Sequence, residues 1–320
     1  MTGAPFEAPR WLADPHLQTI YGATLAAAPH IPFRRERWDT PDDDFVDVDF
    51  VDGPADAPWV HLYHGLEGSS RSPYARMLMA FVRERGWRGS VFNFRGCSGE
   101  PNRLARAYHS GDSAEIDWSL RRIAERAGPV PLHVAGVSLG GNALAKWLGE
   151  EGSGAAFVSR AAVVSAPLDL MAAGDALGRG FARVYARHFL STLKGAAIAR
   201  LARHPGIYDA DSVRRARSLR DFDNVVTAPL HGFRDTDDYW TRASSKPVLK
   251  AIRVPTLILN ARDDPFLPAE ALPTPDEVSD AVILEQPARG GHVGFVQGPF
   301  PGRIDWLPRR LMRHFDAAAR

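Results

Sequence analysis

Six short, mostly apolar runs constrain this chain more than any other feature: Trp59 to Tyr63, Val91 to Phe94, Leu132 to Val137, Ala161 to Ser165, Thr256 to Asn260 and Ala281 to Leu284. Each is too short for a stable helix and is apolar on successive positions, as a central strand of a parallel sheet must be when both its faces are covered. Between the runs lie segments with helical spacing, Pro73 to Arg85, Asp112 to Ala127 and Leu139 to Glu150, with a last one from Ile304 to Ala318. Asp112 and Glu115 have the form of a capping box, an acceptor followed three residues on by Glu. The alternation specifies an α/β chain with a mostly parallel, doubly wound sheet. Phe45 to Val51 alternates apolar and acidic residues after a Pro-rich amino-terminal arm, which predicts a strand with one solvated face that starts the sheet from its edge.

One stretch breaks the alternation. From Leu168 to Lys250 there is helical periodicity and no convincing strand, so a core of 1–167 and 251–320 is expected to carry a helical cap inserted at 168–250. Within it Phe181, Val184, Tyr185, Phe189, Leu193 and Leu201 form an apolar stripe, which either packs the cap on the core or walls an acyl pocket. A chain of 320 residues with 45% hydrophobic content is large enough for both parts. A formal net charge of +1 gives the whole molecule no strong pull toward nucleic acid or anionic membrane. The arginines of the cap read as a solvated surface. The single cysteine, Cys97, excludes an intrachain disulfide and thiol-rich metal sites and reads as a packing residue. The first ten residues lack the basic and apolar stretches of a signal peptide, and no segment has about eighteen uninterrupted apolar residues. The expectation is a cytoplasmic protein without stable membrane insertion, without nucleic-acid partners, and with no oligomeric state specified.

Chemistry is concentrated at Gly136-Val137-Ser138-Leu139-Gly140, a G-x-S-x-G pentapeptide placed between a strand and a helix. That context is the one a nucleophile elbow needs, with glycines where side chains would collide across the tight turn. A serine hydroxyl requires a base, and His292, in Arg289-Gly290-Gly291-His292-Val293-Gly294 after the last strand, is the histidine in position to serve. The orienting acid falls between serine and histidine in chain order, which leaves Asp263 or Asp264, directly after the strand ending near Leu259. Acid loops of this fold commonly read G-x-x-D-x-x-V-P; laid on Ala261 to Pro268, that pattern selects Asp264, and Pro265 restrains its backbone. Asp263 is then a turn former. Oxyanion donors are expected at the N–H groups of Leu139 and of Leu66, the latter in His64-Gly65-Leu66-Glu67-Gly68. His61 and His64 point to opposite sides of a strand and cannot share a metal. Nothing requires a metal or any other cofactor, and no P-loop or dinucleotide fingerprint occurs.

Several more specific segments resemble the YheT-like hydrolases, the type 4 AB hydrolase family of the α/β-hydrolase superfamily. They are Trp11 to Ile20 with its Pro-His-Leu-Gln-Thr core, His64 to Gly68, Asn93 to Glu100 with Arg-Gly-Cys-Ser-Gly, Tyr108 to Asp112, and Asn260 to Phe266. The resemblance covers nearly the whole chain. It implies a serine hydrolase of carboxylic esters, with eukaryotic relatives acting on acylglycerols, phospholipids and medium-chain acyl esters. The resulting expectation is hydrolysis of a small-molecule ester of short to medium acyl length through an acyl-enzyme on Ser138. The alternatives are an acyltransferase using the same groups and a catalytically silent ligand-binding protein of the same fold. Dehalogenase and epoxide-hydrolase chemistry is disfavoured, because those enzymes place aspartate where this chain has Ser138.

Overall fold

In the computed structural model, which describes residues 5–317, the apolar runs assemble into one eight-stranded sheet. The strands are β1 (Arg34–Asp39), β2 (Phe45–Val51), β3 (Trp59–Tyr63), β4 (Arg88–Asn93), β5 (Leu132–Val137), β6 (Arg160–Val164), β7 (Thr256–Leu259) and β8 (Val282–Glu285). Their spatial order is β1-β2-β4-β3-β5-β6-β7-β8. Only β1 with β2 and β2 with β4 run antiparallel. The remaining pairs are parallel, so the carboxyl ends of β3 to β8 converge on one edge, where ligands of open α/β sheets bind.

The helices are α1 (Pro15–Thr24), α2 (Pro73–Glu84), α3 (Ser113–Ala127), α4 (Leu139–Glu151), α5 (Leu170–Leu177), α6 (Arg183–Arg203), α7 (Ala210–Arg215), α8 (Leu219–Phe222), α9 (Ala228–Leu230), α10 (Thr236–Ala243) and α11 (Trp306–Phe315). Side chains alternate along β3 and so feed two layers. Trp59 and Tyr63 pack with Ile116, Leu120 and Ile123 of α3 and Leu144 and Trp147 of α4. Val60 and Leu62 pack with Leu78, Met79 and Val82 of α2 and Trp306, Leu311 and Phe315 of α11. Helices α5 to α10 all lie in sequence between β6 and β7, which nevertheless pair directly, so this helical stretch does not interrupt the sheet. No helix among the described residues is long and apolar enough to cross a membrane.

The sheet departs from the sequence reading at both edges. β2 is neither the edge nor solvated; all seven of its residues are buried. The amino-terminal arm supplies α1 and the true edge strand β1, whose Arg-Arg-Glu-Arg pattern carries no apolar signal. Register places Arg37 opposite Asp47 and Arg35 opposite Asp49, and each arginine forks onto its partner's carboxylate at 2.7–3.0 Å. Burial alone would raise the Asp49 carboxyl, but Arg35, Ser70 and Asn93 hold it below the ordinary carboxylate range. At the other edge β8 is partly exposed rather than covered on both faces. α11 occupies Trp306–Phe315 only, and Ala318, the expected end of that helix, lies outside the described residues, as do the first four residues of the amino-terminal segment. Asp112 does cap α3 through the Glu115 N–H at 3.3 Å, yet the Glu115 carboxylate turns to Arg95 Nε at 2.6 Å instead of closing the box.

Two histidines in and after β3 are buried without charge partners. Burial pushes His61 down to about 3 and His64 down to about 4. The unfolded chain takes up those protons near pH ~6.5 and the folded chain does not, so their stabilising contribution is complete above ~6.5 and is lost as pH falls toward the folded values. Each such group costs up to about 1.4 kcal/mol per pH unit in that window. The melting temperature is therefore expected to fall between pH 7.5 and 5.5, and to fall less steeply in His61→Phe. Calorimetry across that range checks this; a flat profile contradicts it.

Candidate active site

The site is built at the carboxyl end of β5, near the middle of the sheet. Ser138 links β5 to α4 with φ 53° and ψ −123°, a conformation that costs a non-glycine residue of order 1–3 kcal/mol and survives only when its surroundings enforce it. They do so here by close approach. A Cβ on Gly136 would lie 2.5 Å from the Gly140 carbonyl oxygen, and one on Gly140 would run into the carbonyl of His64. The Ser138 N–H donates to Val164 O at 2.8 Å, tying the turn to the end of β6.

His292 and Asp264 are brought to this serine from separate loops. The Ser138 hydroxyl donates to His292 Nε2 at 2.9 Å. His292 Nδ1–H in turn donates to Asp264, 2.9 Å from Oδ2 and 3.1 Å from Oδ1. A carboxylate only accepts, so this contact fixes the proton on Nδ1 and leaves Nε2 free to receive one. Asp264 is 1% exposed in its side chain, and its Oδ1 also accepts the Phe266 N–H at 2.8 Å. The Phe266 ring lies on the imidazole with centroids 3.9 Å apart. Asp263 does not reach the histidine. Its Oδ1 accepts the Gly291 N–H at 2.9 Å and so shapes the histidine loop, while burial, with the Asp264 charge adding, raises its carboxyl.

Leu139 is the first residue of α4, so its N–H has no acceptor within the helix. Leu66 follows Gly65, which packs directly on Ser138, and both leucines line the cavity in front of the serine. The loop carrying Leu66 is braced by His64. His64 Nε2 accepts the Phe94 N–H at 3.1 Å and Nδ1–H donates to Gly65 O at 2.8 Å, an arrangement open only to neutral imidazole. Tyr74 adds a second brace, its hydroxyl accepting the Gly65 N–H at 2.9 Å.

In front of Ser138 lies a cavity of about 380 Å³. Phe189, Leu193, Ala196 and Arg200 line it from successive turns of α6, whereas Phe181 precedes the helix, is half exposed and rests on His16. The apolar stripe is thus divided, and Phe181 does not belong to the cavity wall. Cys97 lines the cavity with a thiol that burial pushes up, the behaviour of a packing residue. No group of three or more His, Cys, Asp or Glu side chains among the described residues is placed to hold a metal ion.

The model of the alpha/beta hydrolase fold family matches residues 58–299. The chain belongs to that family. The putative esterase YheT of Escherichia coli strain K12 is 39% identical over 315 residues, covering 97% of this chain and 92% of the relative. Phospholipase ABHD3 of Mus musculus is 30% identical over 318 residues, covering 96% of this chain and 77% of its own. The Pyrococcus furiosus esterase Pf2001 superposes with a TM-score of 0.56 at 14% identity, over 98% of this chain and 97% of that one, which bears on the fold alone. This hydrolase therefore sits in the YheT-like branch, among esterase- and phospholipase-type relatives.

Three positions in the hydrolase site have no sequence signal in the elbow argument. Thr19 Oγ1 accepts the His292 N–H at 2.9 Å while donating to Pro15 O at 2.7 Å. Gln18 donates to Leu12 O and Val296 O and accepts the Val296 N–H at 2.9 Å. Ser165 Oγ accepts the Val293 N–H at 3.1 Å. The Pro-His-Leu-Gln-Thr segment therefore lashes α1 to the histidine loop. Asp264→Asn should lower kcat by about 10⁴-fold through the wrong imidazole tautomer. Asp263→Asn should cost about tenfold or less by displacing the loop, and Thr19→Val should fall between them. Purified variants compared in kcat and melting temperature check this order; greater damage from Asp263→Asn would reverse the assignment of the acid.

Proposed function

We propose that this hydrolase cleaves carboxylic esters of short to medium acyl length, with Ser138 as nucleophile, His292 as general base and Asp264 as its orienting acid. The observation that carries the reading is the unbroken hydrogen-bonded chain Ser138–His292–Asp264 opening onto a mostly apolar cavity. Ser138 Oγ attacks the ester carbonyl carbon as His292 Nε2 takes its proton. The oxyanion is held by the N–H groups of Leu66 and Leu139. Collapse expels the alcohol, which leaves with the proton from Nε2, and Ser138 retains the acyl group. Water attacks that acyl carbon, its proton passing to His292, and the carboxylic acid departs as Ser138 is reprotonated. In this reading residues 168–250 act as the cap, and Phe189 and Leu193 on α6 wall the acyl chain.

Ser138→Ala should reduce turnover of an acyl-ester panel by about 10³-fold or more while leaving the melting temperature close to that of the parent. Near-parental turnover would remove the reading. Phe189→Ala should change the ratio of rates for short and medium esters by about tenfold or more. Phe181→Ala should leave that ratio unchanged, since its ring lies outside the cavity. Equal effects of the two substitutions would move the acyl wall elsewhere.

A further inference from the structure

The cavity in front of Ser138 carries a carboxylate that the hydrolytic steps do not use. Asp223 opens a single π-helical turn, Asp223–Thr227, between α8 and α9 of the cap, and lines the cavity beside Leu219, Phe222 and Val226. Such widened turns are rare and recur at functional sites, because the extra residue re-aims a side chain. Two donors clamp the carboxylate. The Thr227 hydroxyl donates to Oδ1 at 2.6 Å and the Trp240 Nε1–H to Oδ2 at 2.8 Å. Trp240 is itself seated against α5 at Gly174, where a Cβ would run into the indole ring. Among the described residues no cation offsets the Asp223 charge. Arg220 instead lies over the Trp240 ring, 4.7 Å from its centroid, and pairs with Asp237. Burial without a compensating charge pushes the Asp223 carboxyl up to about 6, against the pull of its two donors. The residue is partly buried and lines the cavity.

A carboxylate offers about four acceptor positions, and Thr227 and Trp240 occupy two. A hydrocarbon chain filling the cavity would displace water and leave the others unsatisfied, whereas a ligand with an O–H group would fill one of them. Arg200 lines the same cavity and disfavours a cationic ligand. We propose that Asp223 is a specificity-determining residue whose carboxylate, clamped by Thr227 and Trp240 in the cap wall, accepts a hydrogen bond from a hydroxyl group of the ester substrate. The hydroxyl sits on the acyl or the alcohol part, remote from the scissile carbonyl. The proposal rests on the ester-hydrolase reading of Ser138. Sites that hydrogen-bond a substrate hydroxyl reject the analogue lacking it much more strongly than apolar pockets discriminate a methylene.

The test uses matched pairs of esters: methyl hexanoate against methyl 6-hydroxyhexanoate, and ethyl hexanoate against 2-hydroxyethyl hexanoate. In the parent protein one hydroxylated member should exceed its plain partner in kcat/KM by about tenfold or more, and the pair that does so locates the hydroxyl. Asp223→Asn, which keeps the volume but turns an N–H toward the ligand's donor, should bring that ratio close to one. Thr227→Val, which keeps the charge but removes one clamp, should give an intermediate ratio and carries the test if Asp223→Asn fails to fold. A purely structural role would lower all rates in parallel and leave the ratios intact, which would overturn the proposal. A parental ratio of one in both pairs, or a stronger preference for 2-aminoethyl hexanoate than for the hydroxyethyl ester, would overturn it as well. Calorimetric binding of the same esters to Ser138→Ala protein reads the ratio without turnover. Absence of Ser138-dependent hydrolysis would thus count against the hydrolase reading alone, while the binding ratio still decides the role of Asp223.

Discussion

Everything at the carboxyl edge of the sheet is arranged around one strained backbone conformation, the left-handed Ser138 at the β5–α4 turn. A β-carbon at φ 53° is tolerated because the chain has no alternative: glycines at 136 and 140 let the strand, the helix and the His64 carbonyl close around it. The same crowding explains why the neighbouring loop is braced so heavily. His64, kept neutral by burial, holds the Gly65 carbonyl with one nitrogen and the Phe94 amide with the other. A protonated ring could not make both contacts, so the loop facing Ser138 is tied to the charge state of a residue that touches no substrate in the proposed mechanism.

The sequence carried the centre of the fold and little of its periphery. Buried parallel strands are written as uninterrupted apolar runs, and β3 to β7 are recognisable for that reason. β1 is written in arginine and glutamate, because its task is to neutralise Asp47 and Asp49 on β2, and no hydrophobic pattern marks an edge strand made of ion pairs. β8 reads as apolar although it lies open at the other edge. In the site, Ser138, His292 and Asp264 are legible because glycine, proline and strand ends leave local marks around each. Thr19 and Gln18 are not, since their partners lie more than 270 residues further along the chain and nothing local announces the meeting. The apolar stripe of the cap was visible, but its division between cavity and surface was not. Helical spacing shows that Phe189 and Leu193 share a face with the cavity, whereas Phe181 stands before the helix begins.

In the proposed reading, the cap at residues 168–250 joins two demands that ordinarily conflict. Its inner wall is apolar enough for a hydrocarbon chain, yet Asp223 sits within that wall with its orientation fixed by Thr227 and Trp240. A buried ion of this kind lowers stability unless something completes it, and the π-helical turn that presents it gives up regular α-helical hydrogen bonding as well. Both costs fall on the inserted segment and leave the β-sheet core unaffected.

The hydrogen bond from the His292 amide to Thr19 spans 273 positions and fastens one of the first helices to one of the last loops. Because synthesis proceeds from the amino terminus, α1 emerges from the ribosome long before the segment it must hold. The strands of the sheet can pair as they appear, but the histidine loop cannot be seated until nearly the whole chain is available, and α1 waits until then without its partner. Assembly of the site is therefore placed late by topology, and a nascent or truncated chain lacking residue 292 has the serine turn but no imidazole beside it. Under the proposed mechanism this separates folding from competence, since a half-made chain has nothing to activate Ser138.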